Sequence, residues 1–130
     1  MSNAIEPGSN GPIEYVLRLG RAFHVSGYPA HRVEEVMVQA SGRLGLEGQF
    51  FSTPTSLLAG FGPIGRQQTH FLRVEVGSVD LARIAALHRV AIDVERARIT
   101  PEEGARRIDA IVAAPSAWSA WWTTPAFAVA

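Results

Sequence analysis

Residues 49–76 decide the fold of this chain and read QFFSTPTSLLAGFGPIGRQQTHFLRVEV. The stretch is rich in β-branched and aromatic residues, which favour a pleated strand backbone. Pro54 cannot donate to a strand ladder and therefore predicts a bulge or a strand boundary. A second break follows at the glycines and proline of residues 60–65. The pattern predicts three strands, at 49–53, 55–61 and 69–76, and the simplest pairing across residues 60–65 is an antiparallel hairpin.

Alternation in the third predicted strand places Leu72, Val74 and Val76 on one face and Phe71, Arg73 and Glu75 on the other. The sequence GFGPIG of residues 60–65 also matches the G-x-G-x-x-G pattern of dinucleotide-binding sites. Such a site needs a helix that begins at the third glycine and turns its N–H groups toward the pyrophosphate. Pro63 and the strand pattern that follows contradict that context, so residues 60–65 predict a turn.

Two amphipathic helices are predicted before the strands, at 13–26 and 30–44. The second is the clearer one, because its apolar residues follow helical spacing and Gly45 supplies a stop. Those apolar residues are Val33, Val36, Met37, Ala40 and Leu44.

Two more helices are predicted after the strands. Asp80 is a good N-cap for a helix over 80–95, whose two apolar stripes predict burial on two sides. The first stripe comprises Leu81, Ile84, Ala85, His88, Ala91 and Ile92, and the second comprises Leu87, Val90 and Val94. Thr100, Pro101 and Glu103 form a capping-box pattern that begins the last helix, within 99–114.

The order of elements predicts an α+β fold, a small antiparallel three-stranded sheet covered by two N-terminal and two C-terminal helices. The chain has 130 residues, no cysteine and twelve basic residues balanced by twelve acidic ones. The length predicts one domain. Because its charges balance, the domain has no global positive field, so nucleic acid is not an expected partner. The absence of cysteine excludes disulfides and thiolate metal sites, and the sequence indicates no metal and no cofactor.

The two ends of the chain differ in composition. Residues 1–12 predict a flexible leader and lack the basic and apolar regions of a secretory signal. After Asp109 no charged residue occurs, and Trp118, Trp121 and Trp122 suit a membrane–water interface. Residues 115–130 are therefore predicted to begin a truncated transmembrane segment, with an apolar helix folded on the core as the alternative.

Several polar groups are candidates for a catalytic or metal-binding role. Residues 52–56 read STPTS, and their four hydroxyls predict turn and strand-edge hydrogen bonds, although a hydrolase that uses them with His or Glu is an alternative. His31 lies one turn before Glu34 and Glu35, but a metal site would need a second His at matching spacing. We predict no catalytic residue and a protein that is not an enzyme.

Longer motifs resemble the N-terminal domain of the threonine/serine exporter family. They are SGYPAHRVEEVM at 26–37, LGL at 44–46 and FSTPTS at 51–56, joined by Thr69 with Arg73-Val74 and by ITPEEGARRIDAI at 99–111. The resemblance covers about residues 13 to 124, with 13–114 as the domain, and Gly104 stands where the family usually has Ala. It implies a domain on the cytoplasmic side of the cell membrane that precedes a transmembrane bundle, in the same chain or in a partner chain. That bundle exports small hydroxy amino acids, driven by the proton-motive force.

This resemblance implies a regulatory or assembly role, since the present chain lacks the transport pathway. A candidate ligand site comprises Arg32, Glu34, Thr53, Thr55 and Arg73. Arginine can hold a carboxylate in a bidentate manner and Glu34 can accept from an ammonium, which together suit a zwitterion such as threonine or serine. The alternative is a structural domain that forms homo-oligomers through helices 30–44 and 80–95.

Overall fold

The computed structural model describes residues 11–115 and shows four helices and a three-stranded sheet. In chain order the elements are α1 (Gly11–Val25), α2 (Ala30–Arg43), β1 (Gly48–Thr53), β2 (Ser56–Phe61), β3 (Gln68–Arg73), α3 (Leu81–Glu95) and α4 (Pro101–Ala113). The predicted α+β class and the order of elements are confirmed. The leader's residues 1–10 and the Trp-rich residues 116–130 lie outside the described part of the chain.

The sheet is an antiparallel meander in the order β1-β2-β3. Thr53 pairs with Ser56 across the first hairpin, so Pro54 marks a strand boundary. Phe61 pairs with Gln68 across the second. Gly62 and Gly65 lie in that second turn with φ of 103° and 96°, a conformation that glycine adopts without the Cβ clash of other residues. The predicted turn is therefore confirmed as a hairpin turn over residues 62–67, whereas Gly60 and Phe61 belong to β2.

The helices cover one face of the sheet. α1 and α2 contact the strands directly, while α3 and α4 pack chiefly on each other and on α1. The core between these layers contains fully buried large side chains from every layer, among them Tyr15, Leu19, Phe23, Met37, Leu57, Leu87 and Ile108.

The predicted helix boundaries hold where capping chemistry marks them. The Asp80 carboxylate accepts from the Arg83 N–H at 3.0 Å, and the Thr100 hydroxyl accepts from the Glu103 N–H at 3.1 Å. The last residue of α2 is Arg43, and Gly45 stops the helix with a φ of 73°. The Leu46 N–H donates to the Ser41 carbonyl at 2.9 Å, the pairing of a Schellman motif. Among the described residues α1 is helical from Gly11, so it includes two residues before its predicted start, and Pro12 is compatible with a first helical turn.

Two predictions about apolar faces are wrong. β3 ends at Arg73, so Val76 is not part of the strand and is 61% exposed instead of facing the core with Leu72 and Val74. α3 buries one stripe, formed by Ile84, Leu87, Val90 and Val94. Leu81 and Ile92, from the first predicted stripe, are 74% and 43% exposed, because the contacts of α3 with α1, α2 and α4 bury the side that carries the other stripe.

Candidate functional site

The first hairpin concentrates the hydroxyl groups of the chain, and the Thr53 hydroxyl organises it. Its oxygen accepts from the backbone N–H of Ser56 at 3.0 Å and from that of Thr55 at 3.3 Å. It also lies 2.7 Å from the Ser56 hydroxyl. The side chain therefore replaces backbone partners within the turn, which is the role predicted for this cluster.

Glu34 connects α2 to the edge of the sheet. One carboxylate oxygen accepts from the backbone N–H of Ser52 at 2.7 Å. β1 is an edge strand, and an edge N–H without a partner is a site for non-native pairing. The carboxylate satisfies this donor and fixes the helix against the strand.

His24 approaches the next residue of the same strand from α1. Its Nε2 donates to the Thr53 carbonyl at 2.8 Å, which places the ring proton on Nε2. The side chain is only 3% exposed, and Nδ1 has no hydrogen-bond partner among the described residues. His24 and Glu34 thus hold adjacent residues of β1 from two different helices. No motif in the sequence marks His24, because its partner lies 29 positions along the chain.

Thr55 and Arg73 lie at the same end of the sheet. The Thr55 carbonyl accepts from the Val74 N–H at 3.0 Å, and Arg73 is paired with Ser56 in the ladder. Arg73 is exposed and forms no salt bridge within residues 11–115. Four of the five predicted site residues therefore surround one hairpin, and Arg73 is its free cation in the described part of the chain.

Arg32 belongs to a separate group on the other side of α2. Its guanidinium lies 5.6 Å from the centre of the Tyr28 ring and donates to the Tyr28 hydroxyl at 3.4 Å. Residues two apart on a helix point in different directions, which separates Arg32 from Glu34. The structure thus divides the predicted site into two groups.

The Tyr28 hydroxyl continues this second group to α3. It lies 3.2 Å from Nε2 of His88, whose ring packs 4.8 Å from that of Phe23. Burial lowers the pKa of His88, and the positive charge of Arg32 lowers it further. With the His88 proton on Nδ1, Nε2 accepts a hydrogen bond from the Tyr28 hydroxyl, which itself accepts one from Arg32, so the three groups form one chain of hydrogen bonds.

Two concave regions lie between the helices. A groove of about 470 Å³ runs between α1 and α4, with apolar walls and an ion pair between Arg18 and Asp109 at its rim. A smaller pocket of about 100 Å³ separates α2 from α3. There Glu95 is bound by Gln39 at 3.2 Å and by Arg43 at 3.3 Å, and burial with the nearby Glu95 charge raises the pKa of Tyr15. Neither region is lined by any of the five predicted residues.

Within residues 11–115, no three His, Asp or Glu side chains come together as a metal site. None of the helices in that range combines the length and the apolarity needed to cross a membrane.

The fold defines the class of this protein as a small α+β domain, with four helices and one antiparallel three-stranded sheet. Residues 14–130 match the family model described as "Putative threonine/serine exporter" (ThrE), and the chain belongs to that family. The resemblance carried by the motifs at 26–56 and 99–111 is confirmed. No solved structure matches the chain.

Curated proteins similar to this chain include several from fungi. An uncharacterized protein of Schizosaccharomyces pombe is 34% identical over 83% of this chain, and the pheromone-regulated membrane protein 10 of Eremothecium gossypii is 32% identical over 82%. The protein of the same name from Candida albicans is 28% identical over 82%. The matched regions span 14%, 15% and 10% of those three relatives, so the chain corresponds to a small part of each.

Proposed function

We propose that this chain is the cytoplasmic-side domain of a threonine/serine exporter and serves in its regulation or assembly. The carrying observation is that the family match extends through residue 130, across a run after Asp109 that has no charge and contains all three tryptophans. Tryptophan side chains favour the membrane interface, and a charge-free run is compatible with entry into lipid. The family membership favours transport over catalysis.

In this proposal residues 115–130 begin the first membrane span, and proton-driven export of amino acids occurs in a transmembrane part beyond this chain. That part is either the continuation of the same polypeptide or a partner chain. The small fraction of each relative that matches supports the division, because most of each relative lies outside the domain. The isolated chain is expected to transport nothing.

Membrane attachment is tested by co-flotation of the full chain with phosphatidylcholine vesicles. The control is the triple variant Trp118→Ser, Trp121→Ser and Trp122→Ser, which leaves every described residue unchanged. We expect the wild-type chain to float with the vesicles and the variant to remain with the soluble fraction. Equal recovery of both in the soluble fraction would refute the attachment.

We further propose that the hairpin senses the exported amino acid. Support comes from Arg73, a free cation within residues 11–115, which pairs in the ladder with Ser56, the residue bonded to the Thr53 hydroxyl. The Glu34 carboxylate contacts the same hairpin at the Ser52 N–H. Arg73 suits a carboxylate, and the second oxygen of Glu34 suits an ammonium. Arg32 would act in this site only if the ligand reached across α2.

Calorimetry with threonine and with serine separates these two arginines. The wild-type chain is expected to release or absorb heat on binding, Arg73→Ala to lose the signal, and Arg32→Ala to retain it. Loss in Arg32→Ala alone would move the site to the Tyr28 group. No heat in any of the three proteins would end the sensing proposal without affecting the membrane attachment.

A further inference from the structure

Residues 76–81 connect the sheet to α3 and expose three large apolar side chains. Val76 is 61% exposed, Val79 64% and Leu81 74%. A single exposed apolar residue is ordinary on a protein surface, whereas three within six positions form a patch.

This segment is fixed in place against the end of α1. The Asp80 N–H donates to the Ser26 carbonyl at 3.0 Å, while the Asp80 carboxylate caps α3. Gly27 has a φ of 90°, and a Cβ there would lie 2.7 Å from the Cα of Val79, so only glycine permits this approach of the two backbones. The backbone contacts therefore hold Val76, Val79 and Leu81 at the surface.

The chain leaves the described domain at the same end. Arg83, in the first turn of α3, donates to the Ala114 carbonyl at 3.0 Å and to the Val112 carbonyl at 3.4 Å. Val112 is itself 37% exposed, and it shares the wall of the α1–α4 groove with Val25, at the end of α1. The charge-free run to Ala130 begins here.

We infer that this end of the domain, formed by Val76, Val79, Leu81 and Val112 and called here the exit patch, rests on the surface of a lipid bilayer. The inference depends on the proposed membrane attachment and adds a second contact to it. Four side chains expose far less than the ~800 Å² per partner that a stable protein complex buries. The same small area contributes to binding when a tether already holds it at the bilayer, because the effective concentration is then high.

The charges at the exit patch agree with a lipid surface. Asp80 is the only charged residue among residues 76–81, and its carboxylate is engaged by the backbone and side chain of Arg83. The Asp80 carboxylate thus adds no free charge to be desolvated at the bilayer. Neutral lipid is therefore a sufficient partner.

Ile64 provides a matched control surface. It is 94% exposed and lies in the second hairpin, whereas residues 76–81 follow the other end of β3. The six residues of β3 separate these two ends by roughly 20 Å, at about 3.3 Å per residue. If the exit patch rests on lipid, Ile64 remains in water.

The sequence allows two independent readouts in one protein. There is no cysteine, so Val79→Cys and Ile64→Cys each give a full chain with one site for an environment-sensitive fluorophore. All three tryptophans lie at 118–122 and report only on the C-terminal run. Pure phosphatidylcholine vesicles are then added to each labelled chain.

We expect tryptophan emission and the Val79 probe to shift to shorter wavelength together, the probe at least doubling in intensity, while the Ile64 probe does not change. A tryptophan shift without a Val79 shift would overturn the exit patch and leave the membrane attachment intact. No shift in either would refute the attachment and the patch together. A shift at Ile64 as large as that at Val79 would also overturn the inference, because the contact would not be local.

Affinity gives a second test without labels. The triple variant Val76→Ser, Val79→Ser and Leu81→Ser removes apolar area that is mostly exposed, so its thermal unfolding should match that of the wild type. Its partition into the same vesicles is expected to fall roughly tenfold. Ile64→Ser is expected to stay within twofold of the wild type. Equal partition of the triple variant and the wild type would contradict a lipid contact at this patch.

Discussion

The two faces of the sheet have similar apolar side chains and different surroundings. On the inner face, Leu57, Ala59 and Phe61 of β2 are at most 4% exposed under the helices. On the outer face, Phe51, Leu58 and Phe71 form a row in register across the three strands and are 60%, 36% and 59% exposed. Hydrophobicity alone therefore does not tell which face carries the free energy of folding. The helices that pack on one face make that distinction.

Adjacent leucines on β2 give the largest expected difference. Leu57→Ala should lower the free energy of unfolding by about 2–5 kcal/mol, because it opens a cavity in the core. Leu58→Ala removes a side chain from the outer face and should cost less than about 1 kcal/mol. Urea denaturation of both variants measures the two values. Similar losses would show that the outer face is covered in solution.

The edge of the sheet gives the next effect. Glu34→Ala removes the acceptor of the Ser52 N–H and should cost about 1.5–3 kcal/mol, the range for a hydrogen bond to a charged group. Glu35→Ala is the matched control, since that carboxylate is exposed and lies 3.9 Å from Arg32 on the same helix. It should change stability by less than about 0.5 kcal/mol. Equal losses of stability in the two variants would contradict a special contribution of the Glu34–Ser52 hydrogen bond at the strand edge.

Ser52 lies on the inner face as Leu57 does, but its replacement by Ala is expected to raise stability or leave it unchanged. It is 7% exposed, and its hydroxyl has no hydrogen-bond partner among residues 11–115. A buried polar group without a partner costs free energy, so Ser52→Ala should leave stability unchanged or raise it by up to ~1 kcal/mol. Thermal melts measure this change. A loss greater than that of Leu58→Ala would indicate a partner for the hydroxyl.

These elements show what local chemistry determines. The caps at Asp80 and Thr100, the Gly45 stop and the turn with Gly62 and Gly65 depend on neighbouring residues, and the sequence predicts them correctly. The exposed stripe of α3 and the end of β3 before Val76 depend on which elements pack nearby. Periodicity shows that a face is apolar, but it does not show whether another element covers it.

The candidate site divides in the same way. The turn role of Thr53 is local and follows from its spacing to Ser56. The bonds of Glu34 to Ser52 and of His24 to Thr53 join residues 18 and 29 positions apart. No local sequence pattern predicts pairs at those separations, because they result from the packing of two helices on one strand. The separation of Arg32 from Glu34, in contrast, follows from helical geometry, because residues two apart on a helix point in different directions.

Protonation of His88, a residue of the helical layer, is expected to have the smallest effect on the free energy of unfolding. Burial and Arg32 hold the pKa of His88 below its ordinary value of 6.5, so the unfolded chain binds more protons than the folded one as the pH falls through that value. Stability linked to His88 is therefore present above that pH and is lost below it. Chemical denaturation between about pH 7 and pH 5 should show a shallower loss for His88→Gln than for the wild type. Parallel curves for the two proteins would contradict the assignment to His88.

The bonds from Arg83 to the carbonyls of Val112 and Ala114 give this side chain a mechanical consequence. They join the first turn of α3 to the last residues of α4, so both helices share a load applied to the polypeptide beyond Pro115. Under the membrane attachment proposed above, tension on the residues beyond Pro115 would reach α3 without first unwinding α4. His88 and its contact with the Tyr28 hydroxyl lie one to two turns beyond Arg83 along α3. The Arg83 guanidinium therefore links the end of α4 to the hydrogen bonds that join α3 to Tyr28 and Arg32.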